Sequence, residues 1–196
     1  MKTPMKHTFI LLLLAAVVAG CSSAPSRFYT LNSSATGDPS IKSDLAVVVG
    51  PVSVPAEVDR PQFTVQVAPN RVAVDEFNRW AAPLNNNIAR VVAGNLSVLL
   101  GTPNVAAQPL AGFDSAYRVT INIQRFESVP GKSVLVDAVW VVHAPTGKTT
   151  LSGRTVASEP VTDESYDALA AAHSRALARV SVDIAATIHA ETGAKP

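Results

Sequence analysis

The sequence predicts an α+β fold, a single domain in which one mainly antiparallel sheet carries two long helices. Three observations favour it. Short segments on both sides of residue 84 alternate apolar with polar residues, which is the period of half-buried strands. Residues 83–100 change to the three-and-four spacing of an amphipathic helix, and residues 163–190 do the same. The order is therefore strands, helix, strand meander and helix, and we expect both helices on one face of the sheet.

The first residues have the pattern of a bacterial lipoprotein signal. Two lysines precede an unbroken apolar run from Phe9 to Val18, and small residues then lead into Cys21. The run is shorter than the roughly 20 apolar residues that span a bilayer, which is typical of a cleaved signal peptide. We expect residues 1–20 to be removed and Cys21, the only cysteine, to carry N-acyl (palmitate-type) and diacylglyceryl lipid. The alternative is a buried structural cysteine, which agrees less well with these flanks.

Residues 21–44 are predicted to form a lipidated tether, because turn-forming Ser, Gly, Asp and Pro are frequent there and no apolar period is present. The stretch Phe28-Tyr29-Thr30-Leu31 departs from this pattern, and it either belongs to the tether or docks on the domain. The domain proper is expected to occupy residues 45–192. A formal net charge of +1 provides no basic field, so no nucleic-acid partner is expected.

The strands of the domain are predicted in order. Leu45–Val49 is an apolar run that ends before Gly50-Pro51, as in a buried strand. Alternating residues over 63–74 are interrupted by a turn at Pro69-Asn70, which predicts a hairpin. A meander of three strands follows, over residues 119–124, 134–142 and 151–157.

The two helices have recognisable ends. Pro83 suits the first turn of the first helix and Gly101 the position just after its end. Gly94 either weakens this helix or lets a neighbouring segment approach closely. The second helix is expected to run from Asp163 to Ala190, with Thr162 or Asp163 as its cap.

No pattern in the sequence indicates catalysis or a metal site. His173 lies on the apolar stripe of the last helix and is expected in the core or an interface. The sequence contains no His-Glu-x-x-His metal motif and no Gly-x-Ser-x-Gly nucleophile elbow. Trp140 lies in a strand and is expected in the core, whereas Trp80 is either an anchor for the helix start or part of a binding surface. We therefore expect a protein that is not an enzyme and holds no cofactor.

Short motifs along nearly the whole mature chain match a known family. Besides the lipobox and the C-terminal helix, they are Phe28-Tyr29-Thr30-Leu31, Val49-Gly50-Pro51-Val52, Val54-Pro55, Asp59-Arg60-Pro61-Gln62, Arg79-Trp80-Ala81-Ala82-Pro83-Leu84, Ile88-Ala89-Arg90-Val91 and Asn95-Leu96. Together they resemble the ABC-type transport auxiliary lipoproteins, a PqiC-like family. The stretch that starts at Arg79 is the most specific of these motifs.

The resemblance implies a non-enzymatic role in lipid transport and envelope integrity. Members of this family work beside MCE-domain proteins and an ABC transporter that move lipids across the Gram-negative envelope. The resemblance implies an anchor in the outer membrane on its periplasmic face, docking of an MCE-domain partner, and compatibility with a homo-oligomeric ring. Ser22 agrees with outer-membrane sorting, since Asp at that position is the usual retention signal. The candidate partner-contact residues are Arg60, Gln62, Arg79 and Trp80, which are equally suited to be signatures of the fold.

Two other functions fit the sequence. A direct periplasmic lipid carrier needs an apolar cavity, and the apolar strands could line one or fill the core instead. A structural envelope lipoprotein, such as a peptidoglycan-linked spacer, is the third hypothesis, but the sequence has no heptad repeat or evident wall-binding motif.

Overall fold

Eight strands and two helices make up the described part of the computed structural model, which covers residues 24–108, 113, 116–145, 147 and 149–193. In chain order they are β1 (Arg27–Tyr29), β2 (Val47–Ser53), β3 (Gln62–Ala68), β4 (Arg71–Trp80), α1 (Leu84–Leu99), β5 (Val105–Ala106), β6 (Tyr117–Val129), β7 (Ser133–His143), β8 (Thr150–Pro160) and α2 (Tyr166–Thr192). The predicted signal peptide and Cys21 lie outside the described residues.

The α+β class is confirmed, although the strands divide between two sheets. One sheet has three strands in the order β1-β4-β3, and the other has five in the order β5-β2-β6-β7-β8. The predicted hairpin pairs β3 with β4, and the predicted meander pairs β6, β7 and β8 antiparallel. β1 runs parallel to β4, and β2 runs parallel to both of its neighbours. β5 and β6 occupy both edges of β2, and the hairpin pairs with β1 in the separate three-stranded sheet.

The core lies between the helices and the five-stranded sheet. α2 packs on β7, β8 and α1, while α1 packs on β2. β6 alternates as predicted, because Val119, Ile121 and Ile123 are buried whereas Asn122 and Gln124 are exposed. This strand therefore presents one apolar face to the core and one polar face to the outside.

The described part of the predicted tether lies on the domain, from Arg27 onwards. Leu31 is fully buried, and Ser34 and Ala35 each donate a backbone hydrogen bond to Asn95 Oδ1 at 3.0 Å. Asn95 is buried on α1, and a buried amide is stable only when its polar atoms are hydrogen-bonded. The segment thus differs from the expected tether. It binds through backbone groups and single side chains, which leave no periodic signal in the sequence.

The second helix begins later than predicted. Its cap is Ser165, whose side-chain oxygen accepts a hydrogen bond from the backbone N–H of Ala168 at 3.1 Å. Asp163 instead accepts from the backbone N–H of Ser165 at 2.7 Å and stabilises the turn before the helix. Gly193 ends the helix in the left-handed conformation that only glycine adopts readily.

His173 is a core residue, as its position on the apolar stripe predicted. The imidazole stacks on Phe126, with ring centroids 3.8 Å apart, and its Nε2 lies 2.8 Å from the Ser128 hydroxyl. Complete burial lowers the pKa of His173 to about 3, because the charged form would have to give up water. The imidazole is therefore neutral in the folded protein at pH 7.

Replacing Gly101 should test how firmly the N-terminal segment is packed. Gly101 follows α1 with φ +61°, and a β-carbon there would lie 2.0 Å from the carbonyl oxygen of Ile41. Gly193 follows α2 with φ +68°, and none of the atoms that the structure describes lies within 4 Å of such a carbon. We expect Gly193→Ala to lower the free energy of unfolding by about 1–2 kcal/mol, because an alanine must adopt the left-handed conformation there. Gly101→Ala should lower it clearly more, because its β-carbon also collides with Ile41. Urea denaturation measures both, and equal losses would contradict the packing of Ile41 on the helix end.

The buried imidazole should make stability depend on pH. Because the folded pKa of His173 is about 3 and its ordinary value is 6.5, the unfolded chain binds more protons between these limits. Its contribution is complete above pH 6.5 and falls by about 1.4 kcal/mol for each pH unit below it. Urea denaturation from pH 7 to about pH 5, above the main carboxylate range, measures this slope.

Two variants separate this effect from the other histidines. His173→Gln should flatten the slope, while His143→Gln should retain the wild-type slope because His173 is still present. An unchanged slope in His173→Gln would show that another group causes the pH dependence.

Candidate functional site

The four predicted contact residues come together at the base of the β3–β4 hairpin, where β3 begins and β4 ends. Gln62 and Arg79 are partners in the strand register, and Arg60 and Trp80 adjoin them in the chain. The structure thus assembles all four from two separate sequence motifs. It does not place them equally, because Arg60 is exposed, Gln62 and Arg79 are half-buried, and Trp80 is buried.

Backbone hydrogen bonds hold this end of the small sheet in place. The N–H of Trp80 donates to the carbonyl of Pro61 at 2.7 Å, and the N–H of Ala81 donates to the carbonyl of Tyr29 at 2.8 Å. These bonds connect the end of β4 to the residue before β3 and to the end of β1. The chain then turns within three residues into α1, so the position of the helix start depends on the same bonds.

Trp80 anchors the core beneath the site. It is 5% exposed, and its ring stacks on Phe63 with centroids 4.0 Å apart. Phe63 also meets Tyr29 at 5.6 Å and Tyr166 at 5.1 Å, both edge-on. Such aromatic pairs contribute about 0.5–1.5 kcal/mol each beyond the area that they bury. Trp80 is therefore mainly a packing residue, and only a small part of its side chain reaches the surface.

A bulge in β4 is held from beneath by a carboxylate. Asp75 Oδ1 accepts hydrogen bonds from the backbone N–H groups of Phe77 and Asn78, both at 2.8 Å, and Tyr166 donates its hydroxyl to Oδ2 at 2.8 Å. Burial alone raises the pKa of Asp75, but the hydrogen bonds from Asn78, Tyr166 and Phe77 outweigh it and leave the pKa below its ordinary value. Burial of Tyr166, together with its hydrogen bond to the Asp75 carboxylate, raises the pKa of the Tyr166 hydroxyl. Asp75 is thus an ionised clamp that shapes the strand.

The bulge places a polar network on the outer side of the hairpin base. Glu76 accepts from the Gln62 amide at 3.3 Å and pairs with Arg79 at 3.6 Å. Arg79 also donates to the backbone carbonyl of Glu76 at 2.8 Å. These groups are largely exposed, so the ion pair contributes about 0–1 kcal/mol to stability. They orient the Arg79 guanidinium more than they stabilise the fold.

An open groove of about 380 Å³ adjoins this network. The groove is lined by Asp59, Arg60, Pro61, Trp80, Ala81, Ala82, Pro83 and Leu84. Its floor is apolar, and its rim carries the two charges of Asp59 and Arg60. A depression of this kind suits one apolar side chain of a partner, with polar groups around it. We call the groove and the polar network together the base surface.

Phe28 adjoins the polar network and completes the base surface, although its sequence motif gave no sign of a contact residue. It is 65% exposed, and the strand register pairs it with Arg79. Its neighbour Tyr29 is 7% exposed and points into the core. Consecutive residues of a strand point to opposite faces, so Phe28 faces outwards where Tyr29 faces the core. Two adjacent aromatic residues in the sequence do not reveal which of them is exposed until the strand is known.

The base surface has the composition of a contact surface. It brings together an arginine network, an exposed phenylalanine and an apolar groove, and aromatic residues and Arg are enriched where proteins contact one another. Among the side chains that the structure describes, no three His, Cys, Asp or Glu residues are grouped to hold a metal ion. In the same part of the chain, neither helix combines the length and hydropathy that crossing a membrane requires.

Comparison with known proteins places the chain in context. The family model of the ABC-type transport auxiliary lipoprotein component matches residues 29–185. No protein of curated function matches the sequence significantly.

Several solved structures match this chain, and three of them follow. A crystal structure titled as an uncharacterized protein is 19% identical, with a TM-score of 0.69 over 84% of this chain and 99% of the other. Protein XCC0632 from Xanthomonas campestris is 20% identical, with a TM-score of 0.64 over 81% of this chain and 92% of the other. The PelC dodecamer from Paraburkholderia phytofirmans is 12% identical, with a TM-score of 0.36 over 82% and 95%. At these identities the first two likenesses establish the fold alone.

Two substitutions should separate folding from surface in this site. Trp80→Ala removes the ring stacked on Phe63, and we expect it to lower the free energy of unfolding by about 3–5 kcal/mol. Arg60→Ala removes an exposed side chain and should change it by less than about 0.5 kcal/mol. Urea denaturation monitored by far-UV circular dichroism measures both. A large loss in Arg60→Ala would make Arg60 a structural residue and remove it from the base surface.

Proposed function

This chain belongs to the family of ABC-type transport auxiliary lipoprotein components, and we propose that it is the docking component of an MCE-type intermembrane lipid-transport system. In this proposal acylated Cys21 holds the domain at the periplasmic face of the outer membrane of a Gram-negative bacterium. The base surface receives the MCE-domain partner, and the protein catalyses no reaction. This docking maintains the lipid path and thereby contributes to envelope integrity.

The observation that carries the proposal is the base surface itself. Phe28 is 65% exposed, although burying a side chain of that size stabilises a protein by roughly 1.5–3 kcal/mol. The fold does not need it there, since Tyr29 and Trp80 already fill the core beneath. An exposed aromatic beside a preformed arginine network has the composition of a protein interface, which is enriched in aromatic residues and Arg. A protein partner is therefore the occupant that this surface fits.

The interior supports docking over direct lipid carriage. A carrier needs an apolar cavity of roughly 300–1,000 Å³ for its ligand. In this fold the layer between the helices and the five-stranded sheet is occupied by fully buried side chains such as Leu169, Leu177 and Ile184. These residues belong to one buried apolar cluster with Ile121 and its neighbours on the sheet. The apolar strands thus fill a core.

Site-specific crosslinking in cells tests the proposal. A photoreactive amino acid replaces Phe28 in one strain and Val156 in another. Val156 is the matched control, because it is 57% exposed and lies on β8 rather than on the hairpin base. We expect the probe at Phe28 to form an adduct in which mass spectrometry identifies an MCE-domain protein, and the probe at Val156 to form none. Adducts only with cell-wall fragments or with other copies of this chain would overturn the docking role.

A charge reversal measures the contribution of the rim. Arg60→Glu should weaken capture of the MCE-domain partner about tenfold, corresponding to about 1.4 kcal/mol. Arg118→Glu reverses another exposed arginine, which lies on β6 and does not line the groove of the base surface, and should leave capture unchanged. Quantitative pull-down of the acylated protein from detergent-solubilised envelopes measures both. Equal losses would place the partner elsewhere, and phospholipid copurifying in stoichiometric amount would favour the carrier function.

A further inference from the structure

The tip of the β3–β4 hairpin has the chemistry of a membrane-contacting element. It consists of Val67 to Val74, joined by the tight turn Pro69-Asn70, and it includes the exposed residues Val67, Val72 and Val74. We propose that this tip rests in the interfacial region of the same bilayer that holds Cys21, and that it orients the domain on the membrane. The inference rests on the acylation of Cys21 in the proposed function.

The chain between the anchor and the domain is short. Cys21 precedes Arg27 by six residues, and from Arg27 onwards the chain is part of the small sheet. Fully extended, six residues span at most about 21 Å. The domain is therefore held close to the lipid surface, in contrast to what a free tether through residue 44 would permit.

The direction in which the chain leaves the domain points to the hairpin tip. β1 runs parallel to β4, with Arg27 opposite Asn78 and Tyr29 opposite Trp80. Followed backwards from Tyr29 to Arg27, the chain therefore runs along β4 towards Arg71, where the turn lies. Asn78 and Arg71 are seven residues apart, at most about 23 Å along the strand. The extended length from Cys21 to Arg27 and the strand length from Asn78 to Arg71 therefore agree within a few ångströms.

Both faces of the tip carry exposed valines. Val72 pairs with Gln66 on one face, and Val67 extends the opposite face of Phe63 and Val65. Val67 is 49% exposed and Val72 is 54% exposed. Single exposed valines are ordinary, but here they occur on both faces of one short hairpin end. On one of these faces Val72 lines a depression with Arg125 and Glu127 of β6, so polar side chains lie beside the apolar ones. The interfacial region of a bilayer supplies an apolar boundary together with polar headgroups.

The polar groups of the tip also suit this placement. The Gln66 amide folds over the turn and donates to the backbone carbonyl of Pro69 at 3.1 Å, so this carbonyl has a hydrogen-bond partner. Arg71 is exposed beside the turn, where a guanidinium can reach lipid phosphate while its stem lies along apolar surface. The tip thus carries one cation with apolar side chains on both sides of it, as interfacial segments do.

This placement would orient the domain with one end towards the membrane and the other away from it. The base surface lies at the opposite end of β4, about 25 Å from the tip along the strand. With the tip at the lipid, Phe28 and Arg60 face the periplasm, where a partner spanning the envelope would arrive.

A probe of local polarity tests the contact in the acylated, full-length mature protein. Because Cys21 is the only cysteine and its sulfur is acylated, one introduced cysteine can be labelled alone with a polarity-sensitive fluorophore. The variants are Val72→Cys at the tip, Phe77→Cys nearer the base, and Val156→Cys as the control of matched exposure. The proteins are reconstituted into vesicles of phosphatidylethanolamine with a minority of phosphatidylglycerol, with and without brominated acyl chains. Flotation separates vesicle-bound from free protein.

We expect the label at position 72 to shift to the blue and to be quenched by brominated lipid, the label at 77 to be quenched less, and the label at 156 to stay water-like. Equal, water-like emission at 72 and 156 in floated protein would overturn the tip contact and leave the anchor intact. A blue shift at 72 without quenching would mean that a second copy covers the tip, which also overturns it. Failure of every variant to float would overturn the acyl anchor and the proposed function with it.

Discussion

The stack of Phe63 on Trp80 is the interaction on which the rest of the structure depends. It joins β3 to the end of β4, and it continues through Tyr29 to β1 and through Tyr166 to α2. The small sheet has only three strands and could not hold its position alone, because small sheets need a hydrophobic face packed on another layer. The aromatic stack supplies that face, and the hairpin, the helix start and the base surface take their places from it.

The N-terminal segment has a second consequence for function. Leu31 is buried and Ser34 binds Asn95 on α1, so the chain reaches the membrane from a defined point on the domain. A lipoprotein with a long free tether samples every orientation, whereas one with a few free residues does not. The same backbone hydrogen bonds that complete the fold therefore restrict how the domain can present its surfaces to a partner.

The two ends of the β3–β4 hairpin differ in the side chains that they expose. Its base carries an exposed aromatic, an arginine network and a groove, which fit a protein partner. Its tip carries valines on both faces and one arginine, which fit a lipid interface. Between them, Asp75 holds a bulge through three hydrogen bonds, and the bulge sets where the outward-facing residues of β4 lie. A single ionised carboxylate thus fixes the geometry that divides the two surfaces.

The sequence by itself determined the α+β class, the hairpin, the meander, both helices and the burial of His173, because each follows from a local period or a turn signal. It also led to Arg60, Gln62, Arg79 and Trp80 through motifs, but it could not distinguish contact residues from packing residues. Tertiary structure decided that Trp80 is a core anchor, that Phe28 lies outside beside Arg79, and that Leu31 and Asn95 close the N-terminal segment onto the domain. These features depend on parallel pairing of β1 with β4 and on single side chains meeting backbone groups across 50 or more residues. Such contacts have no period in the chain, and so only the folded arrangement reveals them.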